Sequence, residues 1–361
     1  MYLKDLTLFQ FKNHAESNFT FNEKINCFVG NNGVGKTNIL DAIHYLSFTK
    51  SYFNYMDSQN IQFNNDFFMI RGSFIKDENN DEIQCNFDNK AGKIIKINKK
   101  KYKKFSEHIG EYPVIIISPT DSNLILEGSE IRRKYLDSSI SQYKKSYLQT
   151  LINYNKVLKQ RNFLLKQFFE RNYFDEITLE RYDNEIIKYA EIIYEERKSF
   201  ISKLSLVFNK YYSIISDGNE HVSLTYQSQL NEKNIDSLLK ESINKDRLSQ
   251  RTSTGIHKDD ILFNMSEYQI KKIGSQGQQK TFLIALKLAQ YDFISNKIGF
   301  KPIILLDDIF DKLDDLRVKQ LMSFAKDGFF GQVFITDTHE NRCKEILNST
   351  EIDFNLININ L

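Results

Sequence analysis

Apolar and polar positions change rhythm several times along this chain, and each change marks an element. Near the start, Leu6 and Leu8, then Phe19 and Phe21, alternate with polar neighbours, which predicts strands of period two. These lead into Asn26-Cys27-Phe28-Val29, a short buried strand, then a glycine-rich turn and a helix over about 38–46. Strand character resumes over 67–117, broken by Asn, Asp, Gly and Lys at 77–82 and 88–93. Beyond Ser122 the spacing lengthens to three and four. Tyr147, Leu151, Tyr154, Leu158, Leu165 and Phe168 form one stripe within 141–169, and Tyr182, Ile186, Tyr189, Ile193, Phe200 and Leu204 largely repeat it. Two amphipathic helices turning near 172–178 fit a short antiparallel arm of about four heptads per helix.

Strands return at 222–226 and 260–265, and a long helix follows Gly277. Two very apolar strands, 302–306 and 332–336, flank a helix of about ten residues. Continuously apolar strands separated by helices predict an α/β fold with a parallel sheet covered on both faces.

With 361 residues there is room for two domains with their own cores. The first residues are interrupted by Lys4 and Asp5, and the longest apolar runs reach about five residues against the ~20 of a membrane span. The expectation is a cytoplasmic protein with no membrane partner. Cys27, Cys85 and Cys343 are far apart and make no CxxC, so they read as small buried hydrophobes rather than a disulfide or zinc framework. Basic and acidic residues number 49 and 47, so bulk charge carries no signal for nucleic acid. One basic run stands out: Lys93, Lys96, Lys99, Lys100, Lys101, Lys103 and Lys104, on a hairpin. It suits phosphate contact, and equally a soluble sheet edge.

Chemistry concentrates in three places. Gly30-Asn31-Asn32-Gly33-Val34-Gly35-Lys36-Thr37 is a full GxxxxGK[ST] P-loop between an apolar strand and a helix. Its backbone N–H groups, continuing to Asn38, would cradle ATP phosphates, with Lys36 on the β- and γ-phosphates and the Thr37 hydroxyl on Mg²⁺. The strand 302–306 ends in Asp307, suited to the second Mg²⁺ contact, and in Asp308, suited to orienting the attacking water as the catalytic carboxylate. Ser275-Gln276-Gly277-Gln278-Gln279-Lys280 opens a helix and resembles the ABC signature loop. There the Ser275 hydroxyl, Gly277 and Gln278 would supply a second anion site; alone, the tetrapeptide would be a helix cap.

Three further stretches resemble the RecF family. They are Pro119-Thr120-Asp121 running to Gly128-Ser129 and Arg132-Arg133-Lys134-Tyr135-Leu136-Asp137; Gly255-Ile256-His257-Lys258-Asp259-Asp260; and Leu305-Leu306-Asp307-Asp308 continuing into Asp311-Lys312-Leu313-Asp314 and Arg317. Tyr154-Asn155-Lys156 and Lys159-Gln160-Arg161-Asn162 also match the arm's usual wording. Glu130, Ile256, Lys258 and Asp311-Lys312 depart from the family pattern; Lys258 for Arg loses a bidentate fork.

The resemblance covers essentially the whole chain. It implies an ABC/SMC-like ATPase head, residues 1–121 and 250–361, with mixed sheets, and a helical arm, 122–249, with a short antiparallel coiled coil. It also implies an ATP-dependent homodimer, each signature loop facing the other's P-loop, binding gapped or junction DNA. Weak, DNA-stimulated ATP hydrolysis would regulate DNA binding. RecR and RecO are the implied partners, with RecA loading at gaps, replication restart and the SOS response as the setting. Lys12 and Asn13 match a family position that would approach nucleotide phosphates, or form a solvated turn. Arg132 and Arg133 would contact DNA or the other subunit, or cap an acidic surface. His339 falls where ABC enzymes carry a switch histidine, or is a surface residue, and His257 reads as a structural hydrogen-bonding residue.

Rival readings are an SMC-like chromosome-structural subunit, an ABC transporter nucleotide-binding subunit and an ATPase-linked nuclease. The first needs far longer coiled coils, the second has no use for the arm or for residues 255–260, and the third lacks room for a nuclease domain.

Overall fold

The computed structural model describes residues 1–216, 220–312 and 315–359, so Leu313 and Asp314 lie outside the described residues. The chain divides into two compact units: Met1–Asp121 with Leu283–Leu361, and Ser122–Phe282.

In the first unit the apolar runs become a five-stranded, all-parallel sheet in the order Phe354–Asn358, Ile25–Val29, Val333–Asp337, Ile303–Leu306, Val114–Ile117. The strands at 25–29, 114–117, 303–306 and 333–337 are buried at every residue, as strands covered on both faces must be. The period-two segments form a six-stranded antiparallel sheet: His14–Thr20, Tyr2–Phe11, Phe67–Lys76, Asn79–Asp88, Gly92–Ile97, Lys100–Lys101. Between the sheets lies the helix Lys36–Phe48. Its Ile39, Ile43 and Leu46 join Leu6, Phe68 and Phe74 of one sheet and Phe28, Leu305 and Phe334 of the other in a single core. The approach is close enough to demand a glycine: a Cβ on Gly72 would sit 2.6 Å from Leu46 and 2.9 Å from Leu3.

The three cysteines are free and buried, and burial pushes the Cys85 thiol up to about 12, which keeps it protonated.

In the second unit the two stripes become the helices Lys145–Glu170 and Glu176–Ser216, joined by a turn in which Asp175 accepts from the Thr178 N–H and hydroxyl. Tyr147, Tyr154, Leu165, Ile186, Ile193, Phe200 and Leu204 are buried, whereas Leu151, Leu158, Tyr182 and Tyr189 are half-buried. Val157 and, against expectation, Arg161 complete the inner stripe. The helices Ser129–Ser141 and Ile235–Ser249, absent from the sequence reading, pack here too, with a three-stranded sheet in the order Tyr268–Gln269, Asp260–Met265, Val222–Gln227.

Residues 250–282, expected within the head, belong to the arm's unit. The cause is strand pairing: Asp260–Met265 lies along Val222–Gln227 over its whole length, a partner that local pattern does not reveal.

Candidate nucleotide site

The buried strand Ile25–Val29 delivers the chain into the P-loop, which bends through three glycines of positive φ: Gly30 (152°), Gly33 (86°) and Gly35 (95°). Two of them also lack space for a side chain. A Cβ on Gly30 would meet the Ile359 carbonyl oxygen at 2.5 Å, and one on Gly35 would meet the Asn13 amide at 2.5 Å and the His14 ring at 2.7 Å. Gly33 faces open space, and Asn31, Asn32 and Gly33 form an exposed lip, with Val34 half-buried behind it. Lys36 is buried and donates from Nζ to the Gly30 and Asn31 carbonyls, at 2.6 and 2.8 Å.

The Thr37 hydroxyl donates to Asp307 Oδ1 at 2.8 Å, joining residues 270 positions apart. The same carboxylate accepts from Thr336 Oγ1 at 3.0 Å and from Ser118 Oγ at 3.2 Å. Each hydroxyl comes from the end of a different strand or from the P-loop helix. The parallel register, with Leu306 beside both Ile117 and Ile335, brings them to one carboxylate. Among the described residues no basic group lies within ion-pair distance of Asp307. Burial raises its pKa, opposed by the three hydroxyls and, at longer range, by Lys36. Asp308 follows in the left-handed region at φ 50°, its N–H bonded to Thr336 Oγ1 at 2.8 Å. Thr336 thus holds both members of the acidic pair.

Asn13 lies against the loop: its Nδ2 donates to the Gly33 carbonyl at 3.3 Å and its Oδ1 accepts from Asn38 Nδ2 at 2.7 Å. Its neighbour Lys12 is committed elsewhere, in a buried ion pair of 2.6 Å with Asp41, which also accepts from Ser51 Oγ and the Tyr52 N–H. His14 bonds through Nε2 to the Gly35 carbonyl at 3.2 Å, which assigns the proton to Nε2; burial lowers its pKa and keeps it neutral. Asp121 of the Pro119-Thr120-Asp121 stretch accepts from the Ser118 N–H and the Tyr52 hydroxyl and pairs with Lys287 at 2.6 Å. His339 is exposed at the residue before the helix Glu340–Asn348, with its side chain making no cap bond and its N–H bonded to Asp337.

In the arm unit, Ser275 and Gln278 form a reciprocal capping box. The Ser275 N–H donates to Gln278 Oε1 at 2.7 Å, and the Gln278 N–H to Ser275 Oγ at 3.2 Å. Ser275 is exposed, and its oxygen accepts while the hydroxyl proton stays available to an anion.

Residues 255–260 form the unit's polar joint. His257 bonds the Tyr154 hydroxyl at 2.8 Å and the Thr252 carbonyl at 3.0 Å, and burial lowers it to about 4. Arg132 grips Asp260 through two bonds of 2.6 and 2.9 Å, and Arg133 donates to the Asp259 carbonyl. Buried Arg197 joins Asp137 and Asp259, each at 2.9 Å. Lys258 is exposed.

The sequence reading overlooked Ser118, Thr336, His14 and Asp41. Ser118 and Thr336 show locally only as polar residues at the ends of apolar strands, Asp41 as one inside a helix and His14 as one opening a strand.

The family model described as RecF/RecN/SMC N terminal domain matches residues 2–355. The DNA replication and repair protein RecF of Flavobacterium johnsoniae is 48% identical over 99% of this chain and 100% of its own. Among solved structures, the recombination mediator protein RecF with ATP, in the RecFOR pathway, superposes with a TM-score of 0.87 at 32% identity, covering 94% of this chain and 92% of that one. The Smc head domain of Pyrococcus furiosus shares the fold alone, with a TM-score of 0.54 at 18% identity. Likeness that runs the length of both chains, well beyond the phosphate loop that many unrelated proteins carry, makes the kinship specific: this chain belongs to the RecF family.

Proposed function

We propose that this protein is an ATP-dependent DNA-binding repair ATPase that dimerises on gapped or junction DNA in the cytoplasm. With RecR- and RecO-type partners it supports loading of a RecA-type recombinase. Residues 1–121 and 250–361 serve as the ATPase head, with 250–282 folded against the arm. The observation that carries the reading is the 2.8 Å contact between the P-loop hydroxyl of Thr37 and Asp307, which assembles two parts of a nucleotide-metal centre from opposite ends of the chain.

One hydroxyl and one carboxylate are hard oxygen donors and fit Mg²⁺, which takes few protein ligands and keeps water and phosphate oxygens for the rest. Bound there, Mg²⁺ would neutralise charge on the β- and γ-phosphates. Lys36 turns from its own loop carbonyls to the phosphates, and the loop N–H groups from Gly30 to Asn38 surround them. Asn13 fixes the loop. Asp308 orients the attacking water, steadied by Thr336. Ser275, Gly277 and Gln278 present a capped helix N-terminus to the nucleotide of a second copy, so that ATP joins two heads and hydrolysis parts them.

Size-exclusion chromatography with light scattering, with and without MgATP and gapped duplex, tests the reading. A dimer should form with MgATP and persist on DNA, and Ser275→Arg should bind ATP within about threefold of the parent (~0.6 kcal/mol) while staying monomeric. A parent that remains a single copy at saturating MgATP and DNA overturns the proposal.

A further inference from the structure

We propose that the hairpin formed by Gly92–Ile97 and Lys100–Lys101, with the segment running on to Lys104, is a docking edge for the phosphate backbone of duplex DNA. This rests on the DNA-binding reading above and names the surface that carries it.

Charge distribution is the first observation. The segment 93–104 holds seven of the chain's 49 basic residues and none of its 47 acidic ones; without it, 42 basic residues (49 less seven) would face 47 acidic. The sign of the net charge therefore turns on these twelve positions.

The second observation is how these lysines are left. Some exposed lysines find an acid one helical turn away, as in Lys134–Glu130, Lys166–Glu170, Lys240–Asp236 and Lys344–Glu340, and others, such as Lys156, Lys159 and Lys258, stand singly; the hairpin gathers its unpaired lysines at one edge. Lys93, at the base of the hairpin, is drawn inward to Asp57 at 2.7 Å and to the Thr49 carbonyl. Among the described residues, Lys96, Lys99, Lys100, Lys101, Lys103 and Lys104 have no ion pair, and all but the half-buried Lys96 are exposed.

Backbone geometry adds a third. Lys96 lies directly opposite Lys101 in the ladder, a like-charge pairing that opposes hairpin formation. The turn is Asn98-Lys99, both at positive φ (47° and 68°), a two-residue hairpin turn whose second position favours glycine. A lysine there accepts backbone strain and places one more cation at the tip. An edge kept soluble needs a lysine or two; it does not need facing lysines, a strained one at the turn and no acid among them.

The platform is firm. Ile95 is fully buried in the core, Tyr102 bonds back to the Ile95 carbonyl and packs on His108, and Phe105 packs against the same core. A rigid row of unpaired ammonium groups, with no apolar side chain among its exposed residues, matches a regularly charged polymer better than a lipid surface, which is gripped through inserted apolar groups.

The test uses the full-length protein with MgATP and a fluorescent gapped duplex, titrated by anisotropy from low to moderate salt. In the variant Lys99→Gln, Lys100→Gln, Lys101→Gln, Lys103→Gln, Lys104→Gln, affinity at fixed salt should fall at least about tenfold. The slope of log K against log salt should lose about 0.9 for each phosphate contact removed, two or more in all. Replacing the same five lysines by arginine should preserve both. ATP binding should match the parent and the thermal midpoint should be no lower than the parent's, measured on the same samples, which excludes misfolding. A parent that binds DNA and a glutamine variant with parental slope and affinity overturn the proposal while sparing the DNA-binding reading; a parent with no DNA affinity removes both. Parental DNA binding in the glutamine variant with lost binding to anionic vesicles would assign the edge to a membrane instead.

Discussion

Two buried carboxylates, Asp307 in the head unit and Asp259 in the arm unit, sit in opposite kinds of surroundings. Asp259 bonds to Arg197, which also holds Asp137, and accepts from the Tyr226 hydroxyl at 2.5 Å; its counter-ion is supplied inside the protein. Asp307 is held by the neutral hydroxyls of Thr37, Thr336 and Ser118 and has no basic partner within ion-pair distance among the described residues. Burial raises the pKa of both, but only Asp259 has a cation in direct contact to offset it; Asp307 has Lys36 at longer range. A buried carboxylate with its own cation makes a joint. A buried carboxylate ringed by hydroxyls fits the proposed site, whose cation would come from outside.

The sharpest break of this comparison is Asp307→Asn. ATP turnover should fall by roughly 10³-fold, in line with removing a metal-holding group from a phosphoryl-transfer centre. Stability in metal-free buffer should be equal or higher, because the amide keeps an acceptor for the hydroxyls and carries no charge. The sign can be followed with pH. A carboxyl whose folded pKa is raised binds protons more tightly when folded, so the parent should lose stability as pH rises from the ordinary carboxylate range through the raised folded value. Chemical denaturation at several pH values would expose this, since the amide of the variant cannot titrate; a variant destabilised at every pH would place Asp307 among structural groups.

Arg197→Met should do the reverse. Leaving buried Asp259 and half-buried Asp137 without their cation should cost about 3–5 kcal/mol by urea denaturation, with ATP affinity of the surviving folded protein close to parental.

Thr336→Val removes one hydroxyl from Asp307 and the acceptor for the Asp308 N–H. Turnover should drop about tenfold with a stability loss of about 1 kcal/mol; unchanged turnover would separate Thr336 from the acidic pair.

A pH effect with no bearing on turnover concerns His257. Its folded pKa, lowered to about 4, means that the unfolded chain takes up a proton first on acidification. Its contribution to stability should be complete above pH about 6.5 and fade as pH falls towards about 4. The His257→Asn variant should lose about one proton of that slope, read from denaturation midpoints over this window.

Contiguous patterns were legible and sheet neighbours were not. The P-loop's glycines are local requirements of its own backbone, so Gly30, Gly33 and Gly35 announce themselves. Buried strands such as Ile303–Leu306 and the stripe centred on Tyr154 also repeat at short range. Ser118 and Thr336 become meaningful only once Val114–Ile117 and Val333–Asp337 flank the acidic strand, an order that no single segment encodes. Arg161 reads as a surface residue in a helical stripe, yet it is buried because Asp183 and Asp246 come to meet it. The reach of 250–282 into the arm was hidden for the same reason, since its partner strand begins 38 residues before Asp260, at Val222. Lys12, adjacent to Asn13, shows the limit of reading role from position: Asp41, one turn along the P-loop helix, claims it.

The contact of Gly30 with the Ile359 carbonyl has a practical reach. Ile359 donates its N–H to the Val29 carbonyl, and the strand Phe354–Asn358 lies along Ile25–Val29 residue by residue, so this segment buttresses the bend proposed to grip triphosphate. Truncation after Asp353 would delete no predicted ligand, yet it would bare one side of that strand and unseat the bend. Recombinant versions trimmed or tagged at this end should be checked for nucleotide affinity before any loss of activity is blamed on chemistry.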